Sequence, residues 1–220
     1  MNRSIVRRLI AKDLYLYRWL IAGAVVAGIV AILVSPFNSI VGPILFMTSI
    51  IAVGIFIVIY GILKEHQDKS VLFVLSLPIS AMQYTTAKVL SALIAFLIPS
   101  IVLTVLVVVL TAASESAPDG NIPFTVVMMA FFLGNFCILI AVVVITNSER
   151  WAVAGILGTN LSVSLFVIPV RGMPGIGEFI EGPIAVWSPA ILTILGIEAV
   201  VIVLSLVFAF LVQSRKRDFV

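Results

Sequence analysis

Lys64–Lys88 reads KEHQDKSVLFVLSLPISAMQYTTAK and separates two long apolar runs. Its first residues are polar, its middle is amphipathic, and a Leu-Pro-Ile-Ser turn at Leu77–Ser80 leads to Lys88 and the next apolar run. Val71, Leu72, Val74, Leu75 and Leu77 supply an apolar face behind Glu65, Gln67, Asp68 and Lys69, which predicts a short helix. Pro78 ends or turns that helix, because it lacks an N–H and restricts Leu77. Ser80 can cap the helix that follows. A polar loop of this length between apolar runs is expected to touch another protein.

Working outward, composition sets the class. Of 220 residues, 62% are hydrophobic and 10% charged, against about 25% charged in an ordinary soluble domain. The chain reads as one integral membrane domain, residues 1–220, with no length left for a separate soluble catalytic unit. Cys137 is the single cysteine, so no intrachain disulfide forms and a thiolate zinc site is not expected. The basic N-terminal stretch leads into an apolar run without a small-residue cleavage site, so a retained helix is expected rather than a signal peptide.

Six apolar spans are expected: Trp19–Val34, Val41–Leu63, Val89–Thr111, Phe124–Thr146, Trp151–Val170 and Pro189–Val212. At 1.5 Å per residue, about 20 residues cross a core of about 30 Å. The first span reaches that length by extending back through Tyr15 and Tyr17, with Arg18 snorkelling. Backbone groups must be satisfied internally in lipid, and the runs lack the alternation of barrel strands, so the fold class is all-α.

Charge sets the expected orientation. Arg3, Arg7, Arg8, Lys12 and Arg18 precede the first span, Lys64, Lys69 and Lys88 follow the second, Arg150 follows the fourth, and Arg215, Lys216 and Arg217 follow the sixth. Of the 13 basic residues, Arg171 alone falls on the other side, beside Glu115, Asp119, Glu178 and Glu181. The positive-inside rule then puts both termini in the cytoplasm, in the cytoplasmic (inner) membrane. The basic balance serves the membrane surface, with no nucleic-acid partner implied.

Residues 1–18, with Ile5, Leu9 and Lys12 or Asp13 at helical spacing among arginines, predict an interfacial helix on the inner leaflet before the chain turns into the first span. Residues 171–188 form the other irregular region, an external loop. Gly172, Pro174, Gly175, Gly177, Gly182 and Pro183 break any long helix, a short apolar piece spans Ile176–Ile180, and Trp187 sits at interface depth.

Few polar residues lie inside the spans. Asn135, Asn160 and Glu198 each fall about 13–17 Å from their span's start, near mid-bilayer. They form either a polar layer along a substrate route or bonds between helices, with Glu198 protonated or paired to Asn135 or Asn160. Gly23 and Ala27 make a small-xxx-small pair, a candidate packing face. No P-loop and no Gly-x-Ser-x-Gly is present, and His66 is the single histidine, so the chain carries no ATP site of its own and no His-based triad or His-rich metal site. No cofactor is implied.

Glu65, Ser70, Leu75, Leu77-Pro78-Ile79-Ser80 and Lys88 together resemble the pattern of type-2 ABC transporter permeases. In that family a Glu, a Gly-Thr pair, a Leu-rich stretch, a Leu-Pro-Val/Ile-Ser turn and a Lys opening the third span follow in order. Here Lys69 and Ser70 stand where the pair is Gly-Thr. The resemblance implies six spans, an interfacial N-terminal helix, and a coupling helix within 64–88 that docks on a separate ATP-binding, ATP-hydrolysing ABC subunit. It implies a pathway formed by two permease copies or two related chains, in contact with membrane lipids. Small external segments fit export of a lipid, peptide, antibiotic or other small amphipathic compound. The physical logic of the loop is independent of the family: a short helix braced by two spans can transmit a rigid-body push. Two rivals remain: a non-transporting anchor or sensor subunit, and an integral membrane enzyme acting on lipid, which needs a polar catalytic cluster at one interface.

Overall fold

Apolar runs separated by turn residues fold into helices, with no strand among the described residues. A computed structural model describes residues 3–38, 41–63, 80–114, 118–146 and 148–215. The elements are α1 (Arg3–Val34), α2 (Val41–Val58), which continues into a π-helical turn at Ile59–Leu63, α3 (Ala81–Ala113), α4 (Asn121–Thr146), α5 (Glu149–Gly172), the short α6 (Gly177–Ile180) and α7 (Pro189–Arg215). Six of them are long and apolar enough to cross a membrane. The chain is therefore an all-helical, multi-pass membrane protein.

Local chemistry sets the ends. Asn38 Oδ1 accepts from the Val41 N–H at 3.0 Å and starts α2. Ser80 caps α3 in full: its hydroxyl accepts from the Gln83 N–H at 3.3 Å while the Gln83 side chain accepts from the Ser80 N–H at 3.1 Å. Ser188 starts α7, accepting from the Ile191 N–H at 3.4 Å. Pro99 and Pro169 lie within α3 and α5 without ending them.

Helix α4 is the hub. Of its apolar window 61% is buried, against 6% for α5. Val127, Cys137, Ile140 and Val143 are fully enclosed. Phe136 of α4 stacks on Phe96 of α3 with centroids 4.2 Å apart, and Phe131 stacks on Phe166 of α5 at 3.9 Å. Helices α2 and α3 pack against α4, α1 packs on α3 and α2, and α5 and α7 each pack on α4. Lipid tails are as apolar as these side chains, so close packing rather than water exclusion decides which faces meet.

That criterion shifts the small-residue face of α1 by one position. Gly23 has nothing within 4 Å of an added Cβ, and Gly23 and Ala27 both face outward. Ala24, Gly28 and Ala31 are the buried stripe, and a Cβ at Gly28 would meet the Leu103 side chain of α3.

The expected turn between an interfacial helix at 1–18 and the first span is absent. Helix α1 runs unbroken for 32 residues, about 48 Å. No proline or glycine interrupts Arg3–Trp19, and Val6, Asp13 and Tyr17 are buried. The additional turns extend the span along its own axis beside the start of α3, itself 33 residues long. Tyr15, Arg18 and Trp19 sit on the outside of this stretch, with the Arg18 guanidinium 3.8 Å from the Tyr15 ring centroid, as in an interfacial aromatic belt.

The short apolar piece at 176–180 is helical over Gly177–Ile180. Ile176 and Ile180 turn inward. The Gly120 N–H donates to the Gly182 carbonyl at 3.0 Å, and Gly120 lies against the Phe179 carbonyl where a side chain would collide.

Candidate functional site

The end of the bundle where α1 and α3 begin and α2 finishes holds a buried ionic knot. Asp13 is the one acid on α1 and Lys88 the one basic residue on α3. Lys88 Nζ donates to Asp13 Oδ2 at 2.9 Å and to the Gly61 carbonyl at 3.4 Å. Ser91 Oγ lies 3.0 Å from the same Asp13 oxygen and 3.0 Å from the Lys88 carbonyl, the two acceptors sharing its one hydroxyl proton. Lys12 Nζ approaches the other Asp13 oxygen at 3.7 Å from the surface. Asp13, Lys88 and Ser91 are 2%, 7% and 0% exposed. Two charges this deeply enclosed persist only when paired and hydrogen-bonded.

Each helix contributes for a local reason. The wider π-helical turn of Ile59–Leu63 frees backbone groups from the tighter α pattern, and Gly61 offers its carbonyl to Lys88. Gly61 also has no side chain where the Tyr17 hydroxyl sits, so α1 approaches the end of α2 closely. Helix α3 adds Ser91 one turn after Lys88, on the same face. The knot thus joins both chain ends that border the 64–79 segment, and ties them to α1.

Ser91, Lys88 and Asp13 include the residue types of a nucleophile and its base. The geometry argues against that use. Lys88 Nζ is engaged by the Asp13 carboxylate, and the Ser91 hydroxyl lies against Asp13 rather than facing open space. Asp13 and Ser91 carry the knot yet were not singled out by motif. The available signal was a lone acid in a basic segment and a lone base inside an apolar run.

The expected coupling residues Glu65, Ser70, Leu75, Leu77 and Pro78 lie outside the described residues. Ser80 is described and caps α3.

No hydrogen bond joins Asn135, Asn160 and Glu198 to one another among the described residues. Asn135 lies 3.0 Å from Ser162 Oγ of α5, and that hydroxyl is also 2.7 Å from the Thr159 carbonyl. One hydroxyl proton serves one of these, and the shorter contact takes it. Turning the Asn135 amide lets Nδ2 donate to Ser162 Oγ but leaves Oδ1 in the buried place without a partner, so one end of the amide is unpartnered among the described residues in either orientation. Asn135 also lines a cleft of about 30 Å³ with Gly54, Phe96, Phe136 and Thr159, room for about one water. Asn160 faces outward, and its amide donates to the Ile156 carbonyl of its own helix at 2.8 Å. Glu198 is buried, and neither carboxyl oxygen has a hydrogen-bond partner among the described residues. The helix–helix bond expected here is therefore Asn135–Ser162, and Glu198 pairs with neither asparagine.

No group of three or more potential metal-ligating side chains occurs among the described residues. Comparison with protein-family models, with curated proteins and with solved structures found no match.

Proposed function

We propose that the chain is the membrane-spanning permease subunit of an ATP-driven transporter of the type-2 ABC class. A separate ATP-binding subunit hydrolyses ATP and docks on a coupling helix within 64–88, on the cytoplasmic side of the cytoplasmic membrane. The observation that carries this reading is the Asp13–Lys88–Gly61 knot. It fastens both borders of the 64–79 segment to each other and to α1, so a force applied to that segment reaches three spanning helices together. A loose connector has no use for a buried ion pair at its base.

A second permease copy, or a related chain, completes the pathway. Helix α5 supports this: Leu157, Leu161, Leu165 and Ile168 are each at least 65% exposed, and Asn160 stands among them. An asparagine facing out at mid-bilayer depth is better satisfied against another protein helix than against lipid tails. The cargo is a lipid, peptide, antibiotic or other small amphipathic compound, moved outward.

The test is reconstitution in proteoliposomes with a candidate ATP-binding subunit from the same organism. ATP hydrolysis by that subunit rises when the chain is present, and rises again with cargo. Hydrolysis that ignores the chain removes the transport reading and leaves a membrane anchor or sensor. The lipid-enzyme reading finds no support at the knot, where Ser, Lys and Asp meet near a helix end, because those groups are mutually engaged.

A further inference from the structure

Glu198 is the buried titratable group that the coupling reading does not use. It shares the inner face of α7 with Ile191, Leu195, Leu206 and Ala209, and is 6% exposed. Neither Oε1 nor Oε2 has a hydrogen-bond partner among the described residues. Helices α4 and α3 pack against α7. Helix α4 contains no Asp, Glu, Lys, Arg or His, and its single titratable group is the Cys137 thiol. On α3 the titratable groups are Tyr84 and Lys88, and Lys88 is held by Asp13. On α7 itself Arg215 lies about 25 Å farther along the axis. An ionised carboxylate in this contact has neither counter-charge nor donor, whereas a protonated one leaves only hydrogen bonds unmade.

We propose that Glu198 is an intramembrane proton-binding site: it holds its proton while α4 and α7 are packed, and releases it when that contact opens to water. Binding and packing are reciprocal, so the proton favours the closed contact and the closed contact favours the proton. The proposal stands apart from the transport reading. If the chain does transport, a cycle that separates α4 from α7 carries a proton step that ATP hydrolysis alone does not explain.

Infrared spectra of the full chain in lipid nanodiscs test it, wild type against Glu198→Gln. At neutral pH the wild type shows the carbonyl stretch of a protonated carboxyl, displaced in D₂O, and Glu198→Gln lacks it. The packed contact favours the protonated form, so its contribution is full below the ordinary carboxylate range and declines as pH rises through neutrality to the alkaline side. Wild-type thermal stability therefore falls from acidic to alkaline pH by more than that of Glu198→Gln, a permanently neutral stand-in. No protonated carboxyl at neutral pH, or an equal alkaline loss in both proteins, overturns the proposal. Should the variant fail to fold, wild-type protein labelled with ¹³C at the glutamate side-chain carboxyls reads the same point: one protonated carboxyl at neutral pH supports it, and all ionised overturns it.

Discussion

The Lys88 ammonium stands 2.9 Å from the Asp13 carboxylate and joins the start of α1 to the start of α3. The two residues are remote in sequence, and the segment 64–79 lies between them. Because Lys88 also donates to Gly61 at the end of α2, this contact ties three helices together at the two borders of the 64–79 segment.

Breaking that pair from one side leaves a buried charge alone. Lys88→Met is expected to destabilise the protein by roughly 3 kcal/mol, the low end of the range for such pairs, since Lys12 remains 3.7 Å from Asp13. Adding Asp13→Leu should recover most of the loss, because two apolar side chains replace two charges. Thermal unfolding in detergent, run as a double-mutant cycle, measures this. A double variant as unstable as the sum of its parts contradicts the pairing.

The two glycine positions on α1 separate a packed face from an open one. Gly28→Val meets Leu103 and should cost about 1–3 kcal/mol by overpacking, whereas Gly23→Val should be close to neutral in the isolated chain. Equal losses at both positions would refute the packing of α1 on α3.

Ser80→Ala removes the hydroxyl half of a capping box, which costs about 1 kcal/mol. Hydrogen exchange should rise in the first turn of α3, and Ser80→Asp should restore protection. Unchanged exchange in Ser80→Ala would mean that the cap does not hold that turn.

The six spans were legible because their lengths are set by the bilayer and their composition leaves no other fold. Expected and observed limits agree at Val34, Val41, Thr146 and Pro189, and at Leu63 once the π-helical turn is included; elsewhere the helices extend beyond the apolar run. The extensions follow from caps and polar turns, such as Ser80 with Gln83, that hydropathy alone undervalues. The straight α1 was not legible: amphipathic spacing in 1–18 predicts a face, and says nothing of whether that face meets a membrane surface or α3. Asp13 was read by its spacing and Lys88 by its place in a motif, and only the packing of α1 on α3 shows that they are partners. Asn135, Asn160 and Glu198 lie at similar depths in the sequence reading, but depth does not fix the rotation of a helix, which turns Asn160 outward and Glu198 inward.

Sidedness has its own test. In a Cys137→Ala background, cysteines at Ser80 and Ser214 should resist an impermeant thiol reagent added outside intact cells and react after permeabilisation. Labelling of either from outside would reverse or break the proposed orientation of 64–88 and 215–217.

Co-purification of the chain with an ATP-binding subunit, before and after Leu75→Asp, tests the coupling most directly. If Leu75 lies in a docking face, as proposed, a charge placed there without a partner costs about 3 kcal/mol, on the order of 100-fold in affinity. The expected result is a stoichiometric complex with the wild type, and a variant that still inserts into the membrane but loses the ATP-binding subunit and its stimulated hydrolysis. A Leu75→Asp complex that assembles and hydrolyses ATP as the wild type does would contradict the assignment of 64–88 as the coupling element.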